Sequence, residues 1–277
     1  NYFHVVFTIP NELNVLCLMD PKFMYKALFT ISAETIKELS KDKKYLGAKI
    51  GFTSVLHTWG QNLSLHPHIH MIVPGGGIDS NGKWKSSKKK FFLPVKVVSK
   101  LFKGKFLSYT KKNFDQRKIK DEEQFQKIID ACYAKDWVVY TKKPMKSAKH
   151  VVKYLGRYTH RIAISNARIK KYEDNKVTFS YKDYSDHNKI KEMTLEDTEF
   201  FRRYMMHVLP SNFMKIRHYG FLGNRNKEER IKAVRTATNT KDPGPLLIDY
   251  EQIISDILKR DVSICIKCGQ KRHHKLE

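Results

Sequence analysis

Apolar positions change period repeatedly along the chain, and each change marks an element. Phe3 to Ile9 (FHVVFTI) is β-branched and aromatic and stops at Pro10, which predicts a strand. From about 21 to 41, Phe23, Ala27, Leu28, Ile31, Ile36 and Leu39 recur at helical spacing. Ile50–Trp59 and Pro67–Pro74 predict two strands joined by a short polar connection, the second ending at Gly75-Gly76-Gly77. Lys83 to Lys90 reads as a basic turn. Helices are expected over about 95–110 and 121–135, a strand over Trp137–Thr141 and a helix over 147–160. Strands near 167–172 and 176–182 flank the turn Glu173-Asp174-Asn175, and helices follow over 196–208 and 226–236. Lys241 to Pro245 (KDPGP) reads as a linker, and the tail beyond it carries a short helix and a CxxC pair. The pattern predicts an α+β fold of a domain over 1–240 and a tail over 241–277. A central, mainly antiparallel sheet should carry helices on one face, and the C-terminal extension should be mostly helical.

One stretch departs from the rest. Ile50 to Ile78 holds no Asp, Glu, Lys or Arg in 29 residues, where a chain 29% charged would place about eight. It nevertheless contains four His, a Gln and an Asn, so it is no membrane segment. A charge-free strand pair suits the centre of a buried sheet, and its histidines then need an explanation. In Leu65-His66-Pro67-His68-Ile69-His70-Met71-Ile72-Val73, alternation puts Ile69, Met71 and Val73 on one face and His68 and His70 on the other. Two imidazoles about 6.5–7 Å apart along one strand can converge on one divalent ion. The alternative is two polar residues on a solvated sheet face. A third ligand could be His57, which an even connection would set opposite His70, or Gln61 at the mouth of the hairpin. His66, before Pro67, reads as a turn or DNA-contacting residue.

The segment SAKHVVKYLGRYTHRIAI, Ser147 to Ile164, sets Tyr154 and Tyr158 four apart, one helical turn from each other on one face. Lys153, Arg157 and Arg161 make an adjacent basic stripe at the same spacing. Phenols beside cations suit phosphate chemistry, with the cations holding phosphate oxygens and a phenol as nucleophile. An aromatic core stripe would leave the same pattern. Gly156 within this helix could permit close approach of another backbone.

Charge narrows the partner. With 53 Lys and Arg against 28 Asp and Glu in 277 residues, the net charge is +25, which a polyanion would offset. Sixteen Phe, 14 Tyr and 3 Trp argue against disorder. No apolar run approaches the roughly 20 residues of a membrane span, and no signal-peptide pattern opens the chain. Four cysteines are too few for a disulfide scaffold and fit a reducing, cytoplasmic compartment. Cys17 and Cys132 read as small core residues, whereas Cys265 and Cys268 with His273 or His274 resemble half a zinc knuckle.

Longer motifs occur in fixed order: HVVFTIPNEL, HPHIH, YLGRYTHRIAISN, FSYKDYSD and FFRRYMMHVLPSNFMKIRHYGFLGN. Over about 2–236 the chain resembles the two-tyrosine rolling-circle transposases of the insertion-sequence-91 type, within the HUH endonuclease superfamily. The resemblance implies an HUH endonuclease-like sheet, with His68 and His70 as metal ligands and Tyr154 and Tyr158 as nucleophiles. It favours Gln61, seven residues ahead of the pair, over His57 as third ligand. It also implies Mg²⁺ or Mn²⁺ as cofactor, and nicking and rejoining of single-stranded DNA at element ends and targets through a 5′-phosphotyrosine. Lys83–Lys90, Arg217 and His218 become candidate DNA contacts, beside Lys153, Arg157 and Arg161. A cytoplasmic, nucleoid-associated protein of a bacterial or archaeal cell is expected. Members usually begin with a cysteine-rich zinc module; the abrupt start at Asn1 implies a catalytic region lacking it. An HUH relaxase or replication initiator, and a non-catalytic DNA-binding derivative, are the competing readings.

Overall fold

The computed structural model describes residues 2–88, 92–119, 121–145, 156, 163–242, 244, 250–258, 260–266 and 268–271. They fall into two compact units, Asn1–Thr238 and Asn239–Glu277. In chain order the first unit begins β1 (Tyr2–Thr8), α1 (Asn14–Met19), α2 (Pro21–Lys41), β2 (Phe52–Trp59), β3 (Leu65–Pro74), β4 (Gly76–Ile78) and β5 (Trp84–Ser86). It continues with α3 (Val95–Asn113), α4 (Glu122–Ala134), β6 (Val139–Met145), β7 (Ile169–Glu173), β8 (Lys176–Asp183) and β9 (Lys189–Glu196). It ends with α5 (Asp197–Met205), β10 (Ile216–Tyr219) and α6 (Lys227–Ala237). The second unit carries α7 (Tyr250–Leu258). The fold is α+β, as the pattern predicts, and no helix among the described residues is long and apolar enough to cross a membrane.

The central sheet has five antiparallel strands in the order β10-β2-β3-β1-β6. Its core face is built by alternation: Phe3, Val5 and Phe7 from β1, Leu56 from β2, and Ile69, Met71 and Val73 from β3 are all buried. Helices α2 and α3 cover that face with Met24, Leu28, Phe102 and Phe106. Each such side chain contributes about 1.5–3 kcal/mol by leaving water. Helix α2 starts sharply because the Asp20 carboxylate accepts from the Phe23 N–H and Pro21 opens the first turn.

A second core lies under β7-β8-β9, where Val177 and Phe179 pack with Phe200 of α5. Leu63 from the β2–β3 connection and Ala163 join it.

Several elements differ from the sequence reading. The β2–β3 register pairs His57 with His68, and Val55 with His70, because the connection is shorter than 61–66: Trp59 already pairs with Leu65, with an irregularity between His57 and Trp59. Trp84–Ser86, within the expected basic turn, is a strand paired with β4; Lys89 and Lys90 lie outside the described residues. Helix α1 and strands β9 and β10 were not expected. Strand β9 (KIKEMTLE) is charged and half-exposed, and its eight residues are set by an unbroken register with β8. Strand β10 has four residues, too few to show a period. Gly156 is helical, and a Cβ there would meet nothing within 4 Å among the described residues.

Candidate metal centre

The sheet face opposite α2 and α3 collects the residues that alternation leaves over. Across its central strands lie His4 and Val6 of β1, His68 and His70 of β3, and Val55 and His57 of β2. His57, His68 and His70 each present a ring nitrogen within 4.8 Å of the others. The Nε2 atoms of His68 and His70 stand 3.0 Å apart. Two nitrogens each about 2.0–2.1 Å from one ion lie about 3 Å apart, so the spacing fits a shared metal. His57 and His70 are 3% and 8% exposed, so the site sits within the sheet rather than at a solvated rim.

The tautomers follow from the partners. His68 Nδ1 is 2.6 Å from the His66 carbonyl oxygen, which can only accept, so Nδ1 carries the proton and Nε2 offers a lone pair. His70 Nδ1 meets His4 Nε2 at 2.8 Å. If His70 donates from Nδ1 to His4, its Nε2 is also a lone pair, and both Nε2 atoms can face one cation. This is the arrangement in which an outer group orients a ligating imidazole. Sequence reasoning missed His4. Its signal was the alternation itself, which sets His4 on the face opposite the apolar Phe3 and Val5.

Burial keeps the imidazoles of His68 and His70 neutral. It pulls His68 down to about 4, partly opposed by the hydrogen bond to His66. His70 is driven far below the ordinary imidazole value by burial and then by the neighbouring rings of His68, His57 and His4. His66 is lowered by burial as well. Neutral imidazole is the ligating form.

The other predicted residues are distributed as follows. Gln61 lies in the β2–β3 turn, where its backbone carbonyl accepts from the Arg168 guanidinium; His57 is the residue that stands with the pair. His218 is exposed on the triad face, with Nδ1 2.9 Å from Thr53 Oγ1. Arg217 points to the opposite face, its guanidinium 4.3 Å from the Phe29 ring centre and 5.3 Å from that of Phe213. Tyr140, 54% exposed, pairs with Val6, which pairs with His70, so the three share one row of the sheet. Tyr154, Tyr158, Lys153, Arg157, Arg161 and His273 lie outside the described residues. In the second unit, Cys265 and Cys268 lie on a tight hairpin. The Cys265 N–H donates to Gln270 O at 2.9 Å, and the Gly269 N–H to Cys265 O at 2.8 Å. Gly269 takes φ +70°, the left-handed conformation that glycine tolerates.

Comparison with known proteins adds a lineage to this geometry. A family model described as "Putative transposase" matches residues 51–230. A protein of Sinorhizobium fredii named "Putative transposase y4qJ" is 40% identical over 97% of this chain and 71% of its own length. The "Transposase for insertion sequence element IS801" of Pseudomonas savastanoi pv. phaseolicola is 29% identical over 97% of this chain and 66% of its own length. No solved structure matches the chain.

Proposed function

The chain belongs to the transposase family that these relatives represent, and from that premise we propose that it nicks and rejoins single-stranded DNA through a tyrosine-linked intermediate. The observation that carries this reading is the converged His57–His68–His70 cluster in a chain of net charge +25. His57, His68 and His70 would hold a divalent ion, with Gln61 near enough in sequence to add an amide oxygen. A bound ion would polarise the scissile phosphate. An all-imidazole donor set favours Mn²⁺ over Mg²⁺, which prefers oxygen ligands.

Tyr154 or Tyr158 is the nucleophile. Its phenolic oxygen bonds to phosphorus, the P–O3′ bond breaks, and the 3′ oxygen leaves as a hydroxyl once it has gained a proton. The product is a 5′-phosphotyrosine and a free 3′-OH. The number of phosphate ester bonds is unchanged, so rejoining needs no ATP. A second tyrosine lets one strand be held while another is attacked. Lys153, Arg157 and Arg161 would neutralise phosphate oxygens, and His218 extends the contact along the triad face, with Arg217 behind it. Tyr140 offers an aromatic surface to an unpaired base beside the site. Cys265 and Cys268, with His273, would bind a structural Zn²⁺. The domain boundary near 240 and a cytoplasmic, nucleoid-associated location belong to the same proposal.

Covalent capture tests it. Labelled single-stranded DNA from the element ends is incubated with protein and Mn²⁺ or EDTA, then run on a denaturing gel. A metal-dependent protein–DNA band lost in the Tyr154→Phe/Tyr158→Phe double variant is the expected result. DNA binding with no covalent band in wild type would refute the reading.

A further inference from the structure

The turn of the histidine hairpin is held from outside as well as by its own Gly60–Ser64 and Leu63–Gly60 backbone bonds. Three consecutive carbonyls of the β2–β3 connection are gripped from the β7-β8-β9 layer and the α5 region. Arg168 donates to Gln61 O through Nη2, and to Ser180 O of β8 at 2.7 Å through Nε. Arg203 Nη1 donates to Asn62 O at 3.3 Å and is itself fixed by Glu199. His207 Nε2 donates to Leu63 O at 3.1 Å, so its Nδ1 is the acceptor for the Thr58 hydroxyl at 3.2 Å. Thr58 follows His57 directly, and the His57 and Trp59 rings stack 4.6 Å apart.

The turn is also strained. Leu63 has φ +62°, the left-handed conformation that residues bearing a Cβ rarely adopt. Such strain persists only where the surroundings over-determine it. Here they do: the Leu63 side chain is completely buried in the second core beside Val177, Phe179 and Phe200. Ala163, 3% exposed, enters the same core five residues after Tyr158 in the sequence. One small layer therefore grips both the hairpin that carries His57 and His68 and the chain that leaves the tyrosine motif.

We infer that the β7-β8-β9 layer with α5 is a positioning device for strand cleavage, and that Arg168, Arg203 and His207 are positioning residues that set the third metal ligand. The inference rests on the metal-site reading above. It predicts that loosening the turn weakens metal binding without dissolving the main core, which α2 and α3 hold on the other face.

The test compares wild type with Arg203→Met, His207→Leu and His207→Gln in the full chain. Mn²⁺ affinity is measured by the spin-resonance signal of free ion, and hydrogen exchange of the amides of 57–68 reports the hairpin. His207→Leu and Arg203→Met should each lower Mn²⁺ affinity about tenfold and speed exchange in the hairpin, while exchange in α2 stays as in wild type. His207→Gln keeps a donor for Leu63 O and should restore affinity to within about threefold. Affinity within twofold of wild type in Arg203→Met and His207→Leu overturns the inference, whatever the exchange shows. So does equal loss in His207→Leu and His207→Gln. Neither measurement needs DNA. A wild type that binds Mn²⁺ but forms no covalent adduct would refute the nuclease reading alone, and one that binds no Mn²⁺ overturns both.

Discussion

His4 offers the sharpest test of the metal centre, because it touches a ligand without being one of the converging three. His4→Phe keeps a ring of similar volume in a site that is 5% exposed, but removes the nitrogen 2.8 Å from His70 Nδ1. Two costs follow. The His70 Nδ1–H loses its acceptor, a penalty of about 1–3 kcal/mol for a buried group. The preference for the tautomer with a free Nε2 is lost as well, and removal of such an outer partner typically lowers metal affinity about 10–100-fold, or about 1.4–2.7 kcal/mol. Mn²⁺ titration followed by calorimetry reads the change directly, and thermal melting of the metal-free protein separates it from unfolding. The expected outcome is a weakening of at least about tenfold, with the ion still bound by the three histidines. Affinity within twofold of wild type in a folded variant would refute the assignment of His4 and the tautomer argument behind it.

Other expectations are simpler. Tyr140→Ala should weaken binding of single-stranded DNA by about 1–3 kcal/mol, the usual value of one base stacked on an aromatic ring, and leave Mn²⁺ affinity unchanged; a filter-binding titration checks both strand and salt dependence. His207 is held below its ordinary value by burial, despite the opposing hydrogen bond to Leu63. The unfolded chain therefore binds the extra proton, and stability is lost as pH falls below about 6.5, the unfolded imidazole value. Melting curves between pH 7.5 and 5 should flatten in His207→Gln relative to wild type. Cys265→Ser should abolish the thiolate-to-metal absorption of a Co²⁺-loaded tail and leave the Mn²⁺ site intact.

Much of the site was legible because strand alternation is a strict rule. The charge-free run from Ile50 to Ile78 announced a buried strand pair, and the HxH spacing put His68 and His70 on one face. Alternation also sends His57 to that face. It could not say which histidine His57 opposes, since that depends on how many residues the turn takes, and Trp59 pairs with Leu65 where a longer connection over 61–66 was expected. Favouring Gln61 over His57 came from resemblance rather than from the residues, and the structure gathers His57 with the pair. Arg217 and His218 looked equivalent as neighbours in a basic motif. Only their place in β10 separates them, with one under the sheet against Phe29 and the other beside Thr53. The grip on Gln61, Asn62 and Leu63 was invisible, because backbone carbonyls carry no sequence signature and their donors lie over 100 residues away.

The strand order has a consequence for synthesis. Strands β1, β2 and β3 are all complete once Pro74 is made, but the partner that covers the outer edge of β2 is completed only at Tyr219. At about 5–20 residues per second, a ribosome needs roughly 7–30 s to bridge that gap. Throughout it, the nascent chain exposes an unpaired edge of β2, within the run that has no charged residue to deter pairing with another chain. Premature termination before β10 would therefore yield a chain whose histidine hairpin carries an open, sticky edge. The hairpin becomes safe to release only when nearly the whole first unit has been made.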